Sequence, residues 1–216
     1  LKDAQAAIYG IQGANGVILV TTKNGSKNTA PKVTYNSYAS VQETTKKLSL
    51  LNGTEYAALI NESYAANGQS IPHSNLSDLG EELDWQDQIF GQALMTNHNV
   101  SLSGGTENIT YYLSGTHLDQ EGIISPEKSN YKRDNIKLNL GVDVNKRLKT
   151  TLNLNYFSNE RKSINESGLG SVLFNAISYS PLFTIDQEDV GGVFGSDAAL
   201  FGNEIINPLS QIRDTY

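Results

Sequence analysis

The chain has 216 residues, a formal net charge of −7 and no cysteine. The lack of cysteine excludes disulfide scaffolds and thiolate metal sites, and the acidic balance argues against nucleic acid as a partner. The mean hydropathy of −0.37 is low, and the sequence holds no apolar run of the roughly 18 residues that a membrane helix needs. Outer-membrane strands also have a low mean hydropathy, because apolar and polar residues alternate along them.

Residues 6–25, AAIYGIQGANGVILVTTKNG, predict a helix end, a glycine corner and a short buried strand. Asn15-Gly16 is a turn signal, the β-branched run 17–22 predicts the strand, and Asn24-Gly25 ends it. A phosphate-binding loop follows a strand and leads into a helix, which is the reverse of this order. The stretch therefore argues against nucleotide binding.

A short polar linker, 26–31, is predicted next, with Pro31 stopping any helix. From Lys32 the hydrophobic period becomes two, which predicts a first long strand with a polar side. One side of this strand carries Val33, Tyr35, Ser37, Ala39 and Val41.

Residues 48–98 form a long connection with structure of its own. Asn52 and Glu55 have the spacing of a capping box and predict a helix that ends at Asn67-Gly68. The predicted apolar face of that helix consists of Tyr56, Leu59, Ile60 and Tyr64. Further on lies Trp85, the only tryptophan. Its commoner use is a buried anchor for the loop, and the alternative is a platform for carbohydrate stacking.

The clearest alternation follows this connection. Strands are predicted around 97–104 and 109–116, and again over 135–145 and 148–157, where one face is aliphatic and the other rich in Asn and Lys. A soluble antiparallel sheet also alternates. The length of these strands, and the alternation of short turns with long loops such as 48–98 and 163–207, favour a transmembrane barrel wall. In that barrel Lys32 lies at the periplasmic end.

Other chemistry finds little support. The three histidines, His73, His98 and His117, lack the spacing of metal ligands. The stretch 186–192 is oxygen-rich but lacks the order of a calcium loop, so a bound cation there stays undecided. Catalytic residues cannot be placed in a common cleft, and we expect no enzyme activity, cofactor or metal.

The stretch 9–23 and a series of later blocks, from 84–90 to 207–209, together resemble SusC/RagA-like TonB-dependent outer-membrane transporters nearly from end to end. The end of the plug domain in that family is matched by Tyr9, Gly10, Gly13, Asn15, Gly16, Val17 and Thr22. Gln12 stands where this branch usually carries Arg. Blocks similar to the start of the family's barrel follow in family order at 84–90, 97–105, 111–112, 119–122, 138–140, 145–149 and 207–209.

The resemblance implies an all-β fold: a partial antiparallel transmembrane β-barrel, preceded by the C-terminal end of an α+β plug domain. We expect residues 1–25 to close the plug, 26–31 to link it to the wall, and 32–216 to supply about six of the family's ~22 strands. Leu1 and Tyr216 lie within predicted elements, so we expect a piece of a longer protein.

The resemblance also implies a function, namely TonB-dependent import of glycans or peptides across the bacterial outer membrane. The implied partners are a SusD-like surface lipoprotein, TonB, the oligosaccharide or peptide substrate and outer-membrane lipid. The candidate loop contacts with substrate or lid are Trp85, Phe90, Phe194 and Phe201. The alternative is a soluble all-β surface domain that binds carbohydrate.

Overall fold

One sheet of five strands dominates the structure. The computed structural model describes residues 10, 17–18, 20–79, 83–168, 170–183, 185, 205–213 and 215. Within them the strands neighbour one another in chain order and run antiparallel. They are β1 (Thr29–Gln42), β2 (Ala93–Gly105), β3 (Ile109–Glu121), β4 (Asn130–Asn145) and β5 (Leu148–Lys162).

Helices occupy the two long connections. The helices are α1 (Gly53–Ala66), α2 (Trp85–Ile89), α3 (Val172–Ser178) and α4 (Pro208–Arg213), with a short 3-10 helix at Leu76–Asp78. Over the part of the chain that the structure describes, none of the helices has the length and apolar character needed to cross a membrane.

The short buried strand predicted over 17–22 is wrong: residues 17–18 and 20–22 form no strand, and Ile18 and Val20 are 91% and 76% exposed. The turn before β1 lies at Lys27-Asn28 and not at Asn24-Gly25.

The strands predicted after the linker are confirmed, and the observed ones are longer. β1 begins at Thr29 rather than Lys32, so Pro31 lies inside a strand and not in a linker. Proline lacks the N–H that pairs with a neighbour, which is tolerated because β1 is an edge strand. β4 begins at Asn130 and β5 extends to Lys162, each beyond its predicted bound.

The predicted capping box of α1 is confirmed. The Glu55 backbone N–H donates to Asn52 Oδ1 at 2.8 Å, and the Asn52 N–H donates to Glu55 Oε2 at 3.1 Å. The predicted apolar face is only partly correct, because Ala57 and Ile60 are buried while Leu59 is exposed. The buried face of α1 is therefore narrower than the hydrophobic periodicity predicted.

The expected sixth strand is absent from the described residues, which contain five. The segment after Asn207 forms helix α4 instead. Asn207 Oδ1 accepts the backbone N–H of Leu209 at 2.9 Å, and Pro208 occupies the first helical turn, where its missing N–H costs nothing. Local capping therefore overrides the β-branched Ile205-Ile206 that precedes it.

The contacts divide the chain into two compact units. The first unit comprises Leu1–Asn36, Asn99–Thr116 and Asn135–Phe157. The second comprises Ser37–His98, His117–Asp134 and Ser158–Tyr216. Both contain parts of the strands, and the second contains all four helices.

In the first unit, the pattern of buried and exposed faces is the reverse of that in a soluble sheet. On β4 the aliphatic face is the open one, with Ile136 and Val144 at 53% and 57% exposure. The opposite, polar face carries Asn139, which is only 3% exposed. Leu154 and Tyr156 on β5 are exposed as well. A sheet in water would bury its aliphatic face, so this arrangement suits an apolar surrounding.

The second unit has an ordinary apolar core. Its buried members are Trp85, Ile89, Ile164, Val172, Ala176, Tyr179, Ile205 and Ile212. They come from α2, α3, α4 and the residues beside them, so the two long connections share one core.

We expect the isolated chain not to insert into a membrane as a folded barrel. Among the residues that the structure describes, β1 and β5 each lack a neighbour on one side, and unpaired backbone groups are not tolerated in lipid. Electrophoresis of the refolded chain in detergent, with and without heating, checks this. A protease-resistant monomer whose mobility changes on heating would contradict the expectation.

Replacing Trp85 by alanine should loosen the second unit by about 3–5 kcal/mol, the usual cost of truncating a buried aromatic. Amide hydrogen exchange of α2 and α3 in the full-length protein measures the effect as a local opening free energy. The matched control is Ile71→Ala, because Ile71 is an exposed apolar residue of the same unit. Equal protection of α2 in both variants would show that Trp85 is not the anchor.

Candidate functional site

Trp85 lies at the centre of the helical unit. Its side chain is 2% exposed, and its Nε1–H donates to the Ser180 carbonyl at 2.9 Å. The ring of Tyr179 meets it edge-on with centroids 4.9 Å apart, and Phe183 packs on Tyr179 at 5.2 Å. Edge-to-face geometry and a satisfied indole N–H are typical of a structural aromatic. The contacts agree with the anchor interpretation.

Gln86, beside Trp85, ties the start of the long connection to α2. Its Oε1 accepts the Leu48 N–H at 2.9 Å, and its Nε2 donates to the Leu48 carbonyl at 3.0 Å. A single buried amide thus completes both backbone groups of Leu48, as a neighbouring strand would. Lys47 extends this tie with an ion pair to Asp87.

A second buried amide joins α3 to α4. Asn175 is fully buried and donates through Nδ2 to Gln211 Oε1 at 2.8 Å. Gln211 Nε2 in turn donates to the Gly170 carbonyl at 2.7 Å. Buried polar groups that are completed in this way fix the position of their elements, because every alternative arrangement leaves one of them unpaired.

An open groove of about 550 Å³ lies beside this core. Its walls come from the residues before and within α1, from the start of α2, and from the end of α3. The aliphatic side chains that line it are Leu50, Leu51, Leu59, Leu83 and Ile177. Leu50, Leu51 and Leu59 are each about half exposed, at 44%, 46% and 53%. The polar atoms of Asn52 and Asp84 at its edge are engaged in helix capping.

This groove is chemically a surface for apolar groups. It presents aliphatic side chains to solvent, and the faces of Trp85 and Tyr179 that contribute to its wall are nearly buried. Clustered exposed aliphatic side chains of this kind mark contact surfaces for protein, peptide or other apolar partners.

Phe90 is half-buried and packs against the core. Its backbone forms an isolated antiparallel bridge with Ile124, flanked by a hydrogen bond of 2.9 Å from the Gly91 N–H to the Ile123 carbonyl. Phe90 therefore joins α2 to the connection between β3 and β4. The structure brings Trp85 and Phe90 into one core.

The remaining predicted site residues are seen only in part. Phe194, Phe201 and the oxygen-rich stretch 186–192 lie outside the described residues, as do Tyr9, Gly13, Asn15 and Gly16. Gly10 has a φ of +65°, which suits a glycine. The Thr22 Oγ1 accepts a weak hydrogen bond of 3.4 Å from Asn139 Nδ2.

Sequence reasoning missed α2, α3 and α4, and with them the groove. Each helix begins at a capping side chain: Asp84 accepts from the Gln86 N–H, Ser171 from that of Phe174, and Asn207 from that of Leu209. Asp, Ser and Asn at these positions are recognisable start signals. These helices have only five, seven and six residues, so each contains too few turns for a helical hydrophobic period to be recognised in the sequence.

Charged side chains do not gather into a reactive cluster in the residues described. Within that part of the chain, His, Asp and Glu nowhere form a group of three that could hold a metal ion. His117 and Asp134 form a pair, with Nδ1 to Oδ1 at 2.7 Å, and both are about half exposed. The groove rather than a charged centre is the candidate site.

Curated relatives match most of the chain. It is 36% identical over 184 residues to the "TonB-dependent receptor SusC" of Bacteroides thetaiotaomicron, which covers 84% of this chain and 17% of the relative. It is also 36% identical over 216 residues to the "TonB-dependent receptor P26" of Formosa agariphila, covering 98% of this chain and 21% of the relative. The chain therefore spans about a fifth of the length of these relatives. No protein-family model matches it.

Solved structures share the fold. The chain superposes on the structure of the RagAB peptide transporter with a TM-score of 0.66 at 23% identity, over 82% of this chain and 23% of that one. The RagAB peptide importer in its 'open-open' state gives a TM-score of 0.64 at 24% identity, over 85% of this chain. The open five-stranded sheet fits part of such a barrel. These similarities identify the chain as SusC/RagA-like, related to TonB-dependent receptors over about a fifth of their length.

Proposed function

We propose that the full-length protein imports oligomeric nutrients, glycans or peptides, across the bacterial outer membrane in a TonB-dependent manner. A SusD-like surface lipoprotein acts with it as a lid. Substrate enclosure and displacement of the plug carry out the import, and no covalent chemistry is assigned. The names of the curated relatives and the shared fold support this proposal.

The observation that carries it is the outward aliphatic face of the first unit. On one face of β5 the exposed apolar residues run from Leu148, through Leu152 and Leu154, to Tyr156. That is roughly 27 Å of strand at about 3.4 Å per residue, and roughly 20 Å of height at a tilt of about 40°. Outer-membrane barrels carry an apolar band about 25 Å tall. Outer-membrane lipid is therefore the partner assigned to this face.

The inner, polar face suits a plug. Residues 1–25 are assigned to the end of the plug, and 32–216 to the wall and its loops. The side-chain oxygens of Asn135 and Asn139 are buried and find no donor within the described part of the chain. Such oxygens would accept hydrogen bonds from plug residues lying against this face.

The groove is assigned to the lid. Leu50, Leu51 and Leu59 are aliphatic and exposed in the long connection between β1 and β2. Loops of this length lie on the extracellular side of outer-membrane barrels. An apolar side chain of the lipoprotein that enters the groove would bury these leucines.

The alternative of a soluble carbohydrate-binding domain fits the structure less well. It requires a second layer over the aliphatic face of β4, where Ile136 and Val144 are instead exposed. Trp85, the residue predicted as a possible platform for carbohydrate stacking, is buried.

Uptake by the full-length protein should require TonB and the proton-motive force. Cells that express it should accumulate a labelled oligosaccharide or peptide mixture, and deletion of TonB or addition of an uncoupler should lower accumulation at least tenfold. Porin-deficient cells without the protein serve as the control. Equal accumulation with and without TonB would overturn the proposal.

Replacing Leu51 by glutamate should weaken capture of the lipoprotein at least tenfold, because a charge would then face the apolar partner. The control is Ile71→Glu, since both residues are 46% exposed and only Leu51 lines the groove. Co-purification from outer membranes, after confirming equal expression, measures the difference. Equal recovery with both variants would show that the lid binds elsewhere.

A further inference from the structure

Residues 22–28, which precede β1, lie against three strands of the first unit. We name this stretch the linker anchor. Predicted from sequence as the end of a plug and a polar linker, it is held by side chains and by close backbone contact. The residues it meets are Gly104, Gly105, Thr106, Tyr111, Asn139 and Asp143.

Gly25 sets the distance between the linker anchor and the sheet. A Cβ at Gly25 would overlap the backbone oxygens of Gly104 and Tyr111. A Cβ at Gly105 would likewise overlap the carbonyl oxygen of Ser26. These two glycines allow the linker to pack directly on the backbones of β2 and β3, closer than any side chain permits.

Side chains of β4 hold the linker at both ends. The Asn139 Nδ2 donates to the Lys23 carbonyl at 2.6 Å, and Lys27 forms an ion pair with Asp143. The Asn28 N–H donates to the Thr106 carbonyl at 3.1 Å, with Asn28 in the left-handed region at a φ of 52°. A buried amide, an ion pair and a backbone hydrogen bond thus attach six residues to two different parts of the sheet.

We propose that the linker anchor stays closed during import, so that displacement of the plug stops at Lys23 and never reaches β1. The proposal rests on the proposed function. A pull on the plug travels along the backbone and loads the contacts at Lys23 before it loads β1. The contacts behind Lys23, at Gly25, Lys27 and Asn28, end on β2, β3, β4 and the turn between β2 and β3, so the pull must break each of them in turn before it reaches β1. Asn139 and Gly25 act as positioning residues, since neither touches the substrate.

Cross-linking tests whether the anchor opens. Thr22→Cys and Asn139→Cys are introduced into the full-length protein, with any cysteine elsewhere replaced, and are joined by a short reducible thiol cross-linker. The matched control joins Asn99→Cys and Thr116→Cys, because the same Asn Nδ2 to Thr Oγ1 contact links β2 and β3 at 2.7 Å. Energised uptake should stay within twofold of the unlinked variant in both cases.

A tenfold loss of uptake that appears only with the 22–139 cross-link, and that reductant reverses, would overturn the proposal. If unmodified protein shows no energised uptake, the proposed function fails, and the mechanical experiment below still decides whether the anchor exists.

Pulling the N-terminus of the full-length protein in a lipid bilayer tests the anchor without transport. In the force–extension curve, the last force peak before β1 unfolds should occur at the contour length of the chain up to Lys23. In Lys27→Ala/Asn139→Ala the rupture at this peak should move toward β1 by up to the six residues 23–28, at most about 2 nm of extended chain. Asn99→Ala, an equivalent change away from the linker, should leave it unmoved. An unchanged rupture length in the double variant would overturn the proposal.

Discussion

The structure depends first on the requirement that backbone polar groups be paired wherever water is absent. In the five-stranded antiparallel sheet, the inner strands have neighbours that pair their backbone groups on both sides. The aliphatic residues then face outward rather than into a core. Inverting the usual pattern removes the hydrophobic effect as the force that closes the sheet. The backbone hydrogen bonds between strands then hold the sheet together, so the outer edges of β1 and β5 require further strands as partners.

The second unit has the opposite burial pattern. There the apolar residues turn inward, and the core around Trp85 unites two connections that are far apart in the sequence. Its stability comes from ordinary burial in water. The two units therefore respond to different solvents: the aliphatic face of β4 suits lipid, and the groove beside Trp85 presents leucines to an aqueous space or to a partner.

Immediately before β1 the chain has little conformational freedom. A flexible tether would be rich in residues that contact nothing, whereas Lys23, Gly25 and Lys27 each meet the sheet. The glycine packing, the amide and the ion pair of the linker anchor end on different strands, although each interaction alone is modest.

The sequence by itself determined the features that depend on neighbouring residues. Alternation along β4, the capping box of Asn52 and Glu55, and the turn at 146–147 were all readable, because each is decided within a few positions. The resemblance over the whole chain supplied the family. Only the tertiary structure decided that α4 replaces a sixth strand, that Trp85 meets Ser180 95 residues away, and that Asn139 holds Lys23. Such pairings depend on the shape of the whole fold, and no local pattern encodes which distant backbone group a buried side chain will reach.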